Sequence, residues 1–182
     1  MNKNQIKKVV KINELLIKKF GVSRRPKKLP DPVDMLIATI LSQNTNDNNS
    51  YRAFANLRKR FTSWEDIVRA RRSSIEKEIK VAGLGLQKST AIKNVLTVLL
   101  NKRNKIALDH LKNMDNDSAI NELTSFKGVG VKTASCVLLF SLDKNICPVD
   151  THVHRTVNRI GIVKGSSPDK TFINLNADFP PK

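Results

Sequence analysis

Apolar residues recur at helical spacing along most of the chain, and no stretch alternates apolar with polar for long enough to read as a strand. Over Gln5 to Phe20, the residues Ile6, Val9, Val10, Leu16 and Phe20 fall near one face, and Gly21 supplies the stop. A basic, proline-containing link runs from Val22 to Pro30. Asp31 then reads as an N-cap with Pro32 at the first helical position. Met35, Leu36, Ile37, Ile40 and Leu41 make the helix that follows apolar on nearly every side, which predicts burial. It ends in the polar stretch Ser42 to Ser50. Further helices are expected from Ser50 to Phe61, from a Ser63 cap through Trp64, Ile67 and Val68, and from a cap at Ser73 or Ser74 with Ile75 and Ile79 inward. A turn over Val81 to Leu86 precedes a helix from Gln87 to Asn101. The last ones expected are Asp117 or Ser118 to Ser125, Thr133 to Leu142, and an Asp150-capped helix to Ile160 with Gly161 after it. The predicted fold class is all-α.

Charge narrows the partners. The chain has 182 residues, with 33 basic and 16 acidic side chains and a net charge of +17. An excess of this size self-repels and points to a polyanion. It is clustered at Arg24-Arg25, Lys27-Lys28, Arg58-Lys59-Arg60, Arg71-Arg72 and Lys102-Arg103, mostly in predicted loops or at helix ends. Apolar runs such as Val137 to Phe140 are short, so no membrane partner is expected. The first twenty residues lack the uninterrupted apolar core of a secretion signal, and a cytoplasmic, nucleoid-associated location is expected. Cys136 and Cys147 read as reduced, packed thiols. They cannot supply a four-thiolate iron–sulfur cluster. His152 and His154 are two apart and face different sides of a helix, so no metal site is expected.

The chemistry gathers at Phe126-Lys127-Gly128-Val129-Gly130-Val131-Lys132-Thr133-Ala134. Two glycines between two helices permit positive φ and remove side chains. The turn's amides then face outward at a helix start, where the dipole also favours an anion. Such a clamp positions a phosphate backbone without reading bases. Lys132 stands at the start of the second helix, and Asp150 lies eighteen residues further on, in Pro148-Val149-Asp150-Thr151-His152.

These two segments resemble the helix-hairpin-helix superfamily, specifically endonuclease III-like DNA glycosylases, whose pattern is Leu-Pro-Gly-Val-Gly-x-Lys-Thr-Ala followed by Val-Asp-Thr-His-Val. Ile40-Leu41-Ser42-Gln43-Asn44-Thr45-Asn46-Asp47 and Gly83-Leu84-Gly85-Leu86-Gln87-Lys88 extend the similarity, which runs from about Asp31 to Gly161. The resemblance implies two helical lobes with a cleft between them. One is a six-helix barrel-like domain over residues 34–145 that carries the motif at about 119–142. The other combines residues 1–33 with 146–182. It also implies base-excision repair: a damaged base, expected to be an oxidised pyrimidine, is removed from double-stranded DNA, and the abasic site is cleaved by β-elimination.

By resemblance, Lys132 is the nucleophile and Asp150 its carboxylate partner. Lysine attacks only as the free amine, and a helix N-terminus in cationic surroundings disfavours the ammonium form. The base must leave the stack, so something must fill the hole. Asn44, with Gln43 beside it, and Leu84 are the expected plugs. Lys88, Lys127, Gly128, Val129, Gly130 and His152 are further expected DNA contacts. Asp47 is a supporting residue or a helix cap. The resemblance also allows a monovalent cation on the carbonyls of Thr124, Phe126 and Val129, and a monomer. Lys127 stands where the family has proline. Many relatives continue with another helix and a four-cysteine loop, whereas this sequence ends at Pro180-Pro181-Lys182. A C-terminally short chain is therefore expected, with apolar surface uncovered on the N-terminal helix and at Val153, Val157 and Ile160. The alternatives are a monofunctional mismatch glycosylase of the same fold, against which Lys132 argues, and a non-catalytic DNA-binding remnant.

Overall fold

The computed structural model describes residues 3–22 and 26–177, so Arg24-Arg25 and Pro180-Pro181-Lys182 lie outside the described residues. The chain divides into two units, Pro30–Lys144 and Met1–Leu29 with Asn145–Lys182. Among the described residues every regular element is helical. Helix α1 (Lys3–Phe20) belongs to the second unit. The first unit holds α2 (Pro32–Ser42), α3 (Asp47–Arg60), α4 (Trp64–Arg69), α5 (Arg72–Ile79), α6 (Gly85–Arg103), α7 (Asn116–Thr124) and α8 (Val131–Leu142). Helices α9 (Thr151–Arg159) and α10 (Pro168–Asn176) complete the second. No helix among the described residues is long and apolar enough to cross a membrane.

The 30–144 unit is built around α2. Asp31 caps it as expected, accepting from the Val33 and Asp34 amides at 2.8 and 3.1 Å. Val33, Leu36, Ile37, Ile40 and Leu41 are almost wholly buried against α3, α6 and α8. Each such side chain contributes about 1.5–3 kcal/mol relative to an exposed one. The unit has seven α-helices, α2 included, rather than six. Several caps differ from expectation. Helix α3 begins at Asp47 because Asn46 accepts from the Asn49 amide at 2.9 Å. Helix α5 starts at Arg72 with no side-chain cap. Asp115, not Asp117 or Ser118, caps α7 by accepting from the Ser118 amide at 2.8 Å. Helix α4 has the expected Ser63 cap, closed into a capping box by Asp66.

A helix buried over most of its surface must still satisfy its last carbonyls. In α2, Ser42 Oγ serves the Thr39 carbonyl and the Gln43 amide that of Ile40, while the Leu41 carbonyl is served by Lys88. This residue is 2 % exposed, and its Nζ donates to the Leu41 and Ala82 carbonyls, both at 2.8 Å. Ala82 ends a 3-10 turn over Lys80–Ala82, after which Gly83 and Leu84 take φ of 69° and 50°. One ammonium thus joins the end of α2 to the turn that starts α6. Lys93 similarly donates to the Val68 and Ala70 carbonyls, and Lys144 to that of Met114.

The glycine hairpin between α7 and α8 sits directly on α6. Gly128 has φ of 91°, and a methyl group there would stand 2.8 Å from the Ala91 Cβ. Both the backbone conformation and the close approach require glycine.

In the second unit, Val149, Ile162, Val163 and Leu175 form a small core, joined by Ile12 of α1, Val153, Val157, Ile160 and Phe172. Helix α10, absent from the sequence expectation, is capped by Ser167, which accepts from the Lys170 amide at 3.2 Å, with Pro168 at its first position. It supplies Phe172 and Leu175 to that core, so Val153, Val157 and Ile160 are partly covered. On α1 the expected uncovered apolar surface is present: Ile6, Val10, Leu15, Leu16 and Phe20 are exposed. The helix is tied down by Gln5 and Lys8, which donate to the Ile162 and Ile160 carbonyls, each at 2.7 Å.

Two predictions concern the struts of the first unit. Gly128→Ala should lose about 1–2 kcal/mol to its left-handed backbone and about 1–3 kcal/mol to overpacking. Urea denaturation measures the sum, and a double-mutant cycle with Ala91→Gly isolates the second share. The other concerns pH. Burial pulls the Lys88 amine below its ordinary 10.5. The folded protein therefore holds that proton less tightly than the unfolded chain. The resulting destabilisation is full below the folded pKa and fades as pH rises through it towards the unfolded value. Across that alkaline window the stability of the wild type should rise relative to Lys88→Met, read as the difference between their urea unfolding free energies at each pH.

Candidate functional site

On the 30–144 unit the expected site segments converge. Phe126 and Val129 are buried and anchor the hairpin. The Val129 amide donates to the Phe126 carbonyl at 3.0 Å. Val129 is thus an anchor and not the expected DNA contact, because its side chain is in the core and its amide is used internally. Lys127, Gly128 and Gly130 face solvent. Gly130 caps α8 with no side chain, so the first-turn amides of the helix remain available to an anion. Lys132 projects from that first turn and is exposed.

Gln43 ties the polar loop to this hairpin. Its Nε2 donates to the Gly128 carbonyl at 3.2 Å and to Thr133 Oγ1 at 3.3 Å. The amide expected on DNA is instead a strut, and Thr133, buried at the start of α8, is the partner that sequence reasoning missed. The neighbouring Asn44 is exposed with φ of 50°. Asp47 is not a cap. It is the first residue of α3, exposed, behind the Asn46 cap.

Leu84 is 45 % exposed and left-handed. It is thus a surface leucine and not part of the core. Asparagine adopts this conformation readily, whereas for leucine it costs about 1–2 kcal/mol. Lys88, expected on DNA, is corrected by its burial: both carbonyls it holds are internal, and its charge does not reach the surface. An open groove of about 620 Å³ runs between the start of α6, at Gln87, Thr90 and Asn94, and the hairpin at Lys127 and Gly128. Its α6 wall carries the helical i, i+3, i+7 spacing of polar side chains, a signal present in the sequence.

Asp150 lies in the other unit. Its Oδ1 accepts from the His152 and Val153 amides at 2.9 and 2.8 Å, so it caps α9 as expected. The side chain of His152 is exposed, with Nδ1 3.3 Å from Arg155 Nη2. His154 turns the other way, its Nδ1 2.7 Å from Thr171 Oγ1 and 3.2 Å from Asn158 Nδ2. Cys136 is buried on α8, and Cys147 is half-buried before α9. Among the described residues no three His, Cys, Asp or Glu side chains gather as a metal site. Cys136 and Cys147 are the two cysteines of the sequence, and a four-cysteine cluster requires four thiolates.

Comparison with known proteins agrees with this geometry. Residues 37–181 match the family model for the HhH-GPD superfamily base excision DNA repair protein. The chain is 43% identical over 149 residues to a candidate DNA glycosylase of Arabidopsis thaliana, covering 81% of this chain and 51% of that protein. It is 34% identical to endonuclease III of Thermotoga maritima, covering 91% of this chain and 72% of the relative. The chain thus spans about half the length of the Arabidopsis relative. The fold superposes on endonuclease III from a non-covalent complex with DNA, with a TM-score of 0.79 at 25% identity, over 99% of this chain and 79% of that one. The chain belongs to the HhH-GPD superfamily of base excision DNA repair proteins, with the all-helical glycosylase fold of endonuclease III.

Proposed function

We propose that the protein is a DNA glycosylase with abasic-site lyase activity, acting as a monomer on duplex DNA that carries a damaged base, in particular an oxidised pyrimidine. The observation that carries the reading is Lys132. It is an exposed amine on the first turn of α8, directly behind a hairpin whose glycines leave the helix N-terminus open. The relatives' names support the same reading.

In this reaction the Lys132 Nζ lone pair attacks C1′ of the damaged nucleotide. The glycosidic pair leaves with the base, which takes up a proton. The amine loses a proton as the sugar ring opens to an iminium. Removal of a C2′ proton then expels the 3′ phosphate, and water releases the lysine. Asp150 acts as the carboxylate partner, stabilising positive charge on the sugar or accepting a proton. The hairpin amides, Lys127 and the groove beside α6 hold the phosphate backbone. Asn44 and Leu84 fill the space left by the flipped base; a strained, exposed leucine suits that task. A monovalent cation on the Thr124, Phe126 and Val129 carbonyls would shield the approaching phosphates.

Borohydride reduction on DNA with an abasic site tests the reading. The wild type should form a covalent adduct, and Lys132→Ala should bind but form none. Asp150→Asn should slow adduct formation by about 10²–10⁴-fold. Tight binding with neither adduct nor cleavage by the wild type would reject the lyase, and base release without an adduct would assign a monofunctional glycosylase.

A further inference from the structure

The two loops expected to enter the base stack do not touch DNA through Lys88, yet both depend on it. Leu41, whose carbonyl it holds, is three residues before Asn44. Ala82, whose carbonyl it holds at the same 2.8 Å, is two residues before Leu84. Asn44 and Leu84 are both exposed, and both are left-handed with φ of 50°. They are the non-glycine positions of these two loops that take this conformation. Neither loop has a regular element to hold it. The C-terminal residue after α2, Gln43, is extended with ψ of 128°, and the 3-10 turn before Gly83 is three residues long.

A buried ammonium is a costly way to satisfy two carbonyls. Its charge is desolvated, as its lowered pKa shows. A neutral donor would satisfy α2 with less penalty. What an ammonium adds is several tetrahedrally directed donors on one atom, so two carbonyls can be fixed at one separation. The positive charge also lies at the C-terminal end of α2, where the dipole favours it. Gln43, two residues beyond the tie, fastens the same loop to Gly128 and Thr133. Polar loop, α6 turn and hairpin are therefore held in one frame, with Lys88 at the joint between the first two.

We propose that Lys88 is the positioning residue for base flipping: it fixes the spacing of Asn44 and Leu84 so that the two enter the duplex as a pair. This rests on the reading of that face as the one that opens DNA, and it adds the internal coupling. Removing Lys88 should therefore impair the step that opens the duplex while leaving the amine chemistry of Lys132 intact. Single-stranded abasic DNA separates the two, because no base has to be displaced from a stack.

Borohydride trapping is compared on a duplex and on a single strand carrying the same abasic site, with thermal unfolding as the folding control. Lys88→Met should lower the duplex-to-single-strand ratio by about 10- to 100-fold, the range that small misplacements produce. Adding Asn44→Ala or Leu84→Ala to Lys88→Met should remove little more, and Lys88→Arg should restore part of the ratio. Where Lys88→Met does not fold, Lys88→Gln, neutral and shorter, is measured for the same ratio. An equal fall on both substrates, or full additivity with the loop variants, overturns the proposal. The second readout needs no chemistry: 2-aminopurine placed beside a stable abasic analogue in duplex DNA brightens as the stack opens. Lys88→Met should quench that gain, and an unchanged gain also overturns the proposal. A wild type that brightens 2-aminopurine but forms no adduct on either strand rejects the lyase reading alone.

Discussion

Helix α2 buries most of its surface, with Asp34, Met35 and Ala38 half-buried on the remaining side, and that constraint organises the 30–144 unit. Its apolar side chains require neighbours on every side, which α3, α6 and α8 provide. Its first amides are served by Asp31 from the adjoining link. Thr39 and Ile40 find donors within the helix end, but the carbonyl of the fully buried Leu41 lies in the interior. An unsatisfied buried acceptor costs about 1–3 kcal/mol. The donor must therefore come from another element, and any such donor couples two parts of the chain. Lys88 is that donor, and the loop after α2 and the turn before α6 inherit their relative placement from it.

The same logic recurs in weaker form. Lys93 serves the end of α4, Lys144 serves Met114, and Lys8 serves Ile160. In each case a long flexible stem carries a cation to carbonyls at a helix or turn end. Arg58 lies 4.6 Å from the centroid of the Trp64 ring, and Arg103 pairs with Glu122 at 3.2 Å. Part of the basic composition is thus structural.

The helical class, the buried α2, the Asp31, Ser63 and Asp150 caps and the hairpin were legible because each is a local signal. Side-chain type, spacing and glycine placement fix them within a few residues. The destination of a side chain was not legible. Lys88 and Lys132 are both lysines in the first turn of a helix beside a glycine turn. One is buried on two carbonyls and the other is exposed. The difference is set by what packs across from each, and spacing does not encode that. Gln43 misled for the same reason, since its partners Gly128 and Thr133 are defined by tertiary approach, whereas the Val129 amide closes a local turn on Phe126. Helix α10 was legible in principle: Ser167-Pro168 is a cap with proline at the first position, and Thr171 and Leu175 are buried one turn apart.

The lysine–carbonyl ties have a consequence for how this molecule would respond to ions. Counterion release depends on the phosphates a protein neutralises and not on its total charge. A formal charge of +17 would suggest a steep logarithmic dependence of affinity on salt. The ammonium of Lys88 is buried on two carbonyls, so it reaches no phosphate. With a nucleic acid the slope would report the surface cations around Lys127, Lys132 and the exposed helix ends, and the charge buried at Lys88 would add nothing to it.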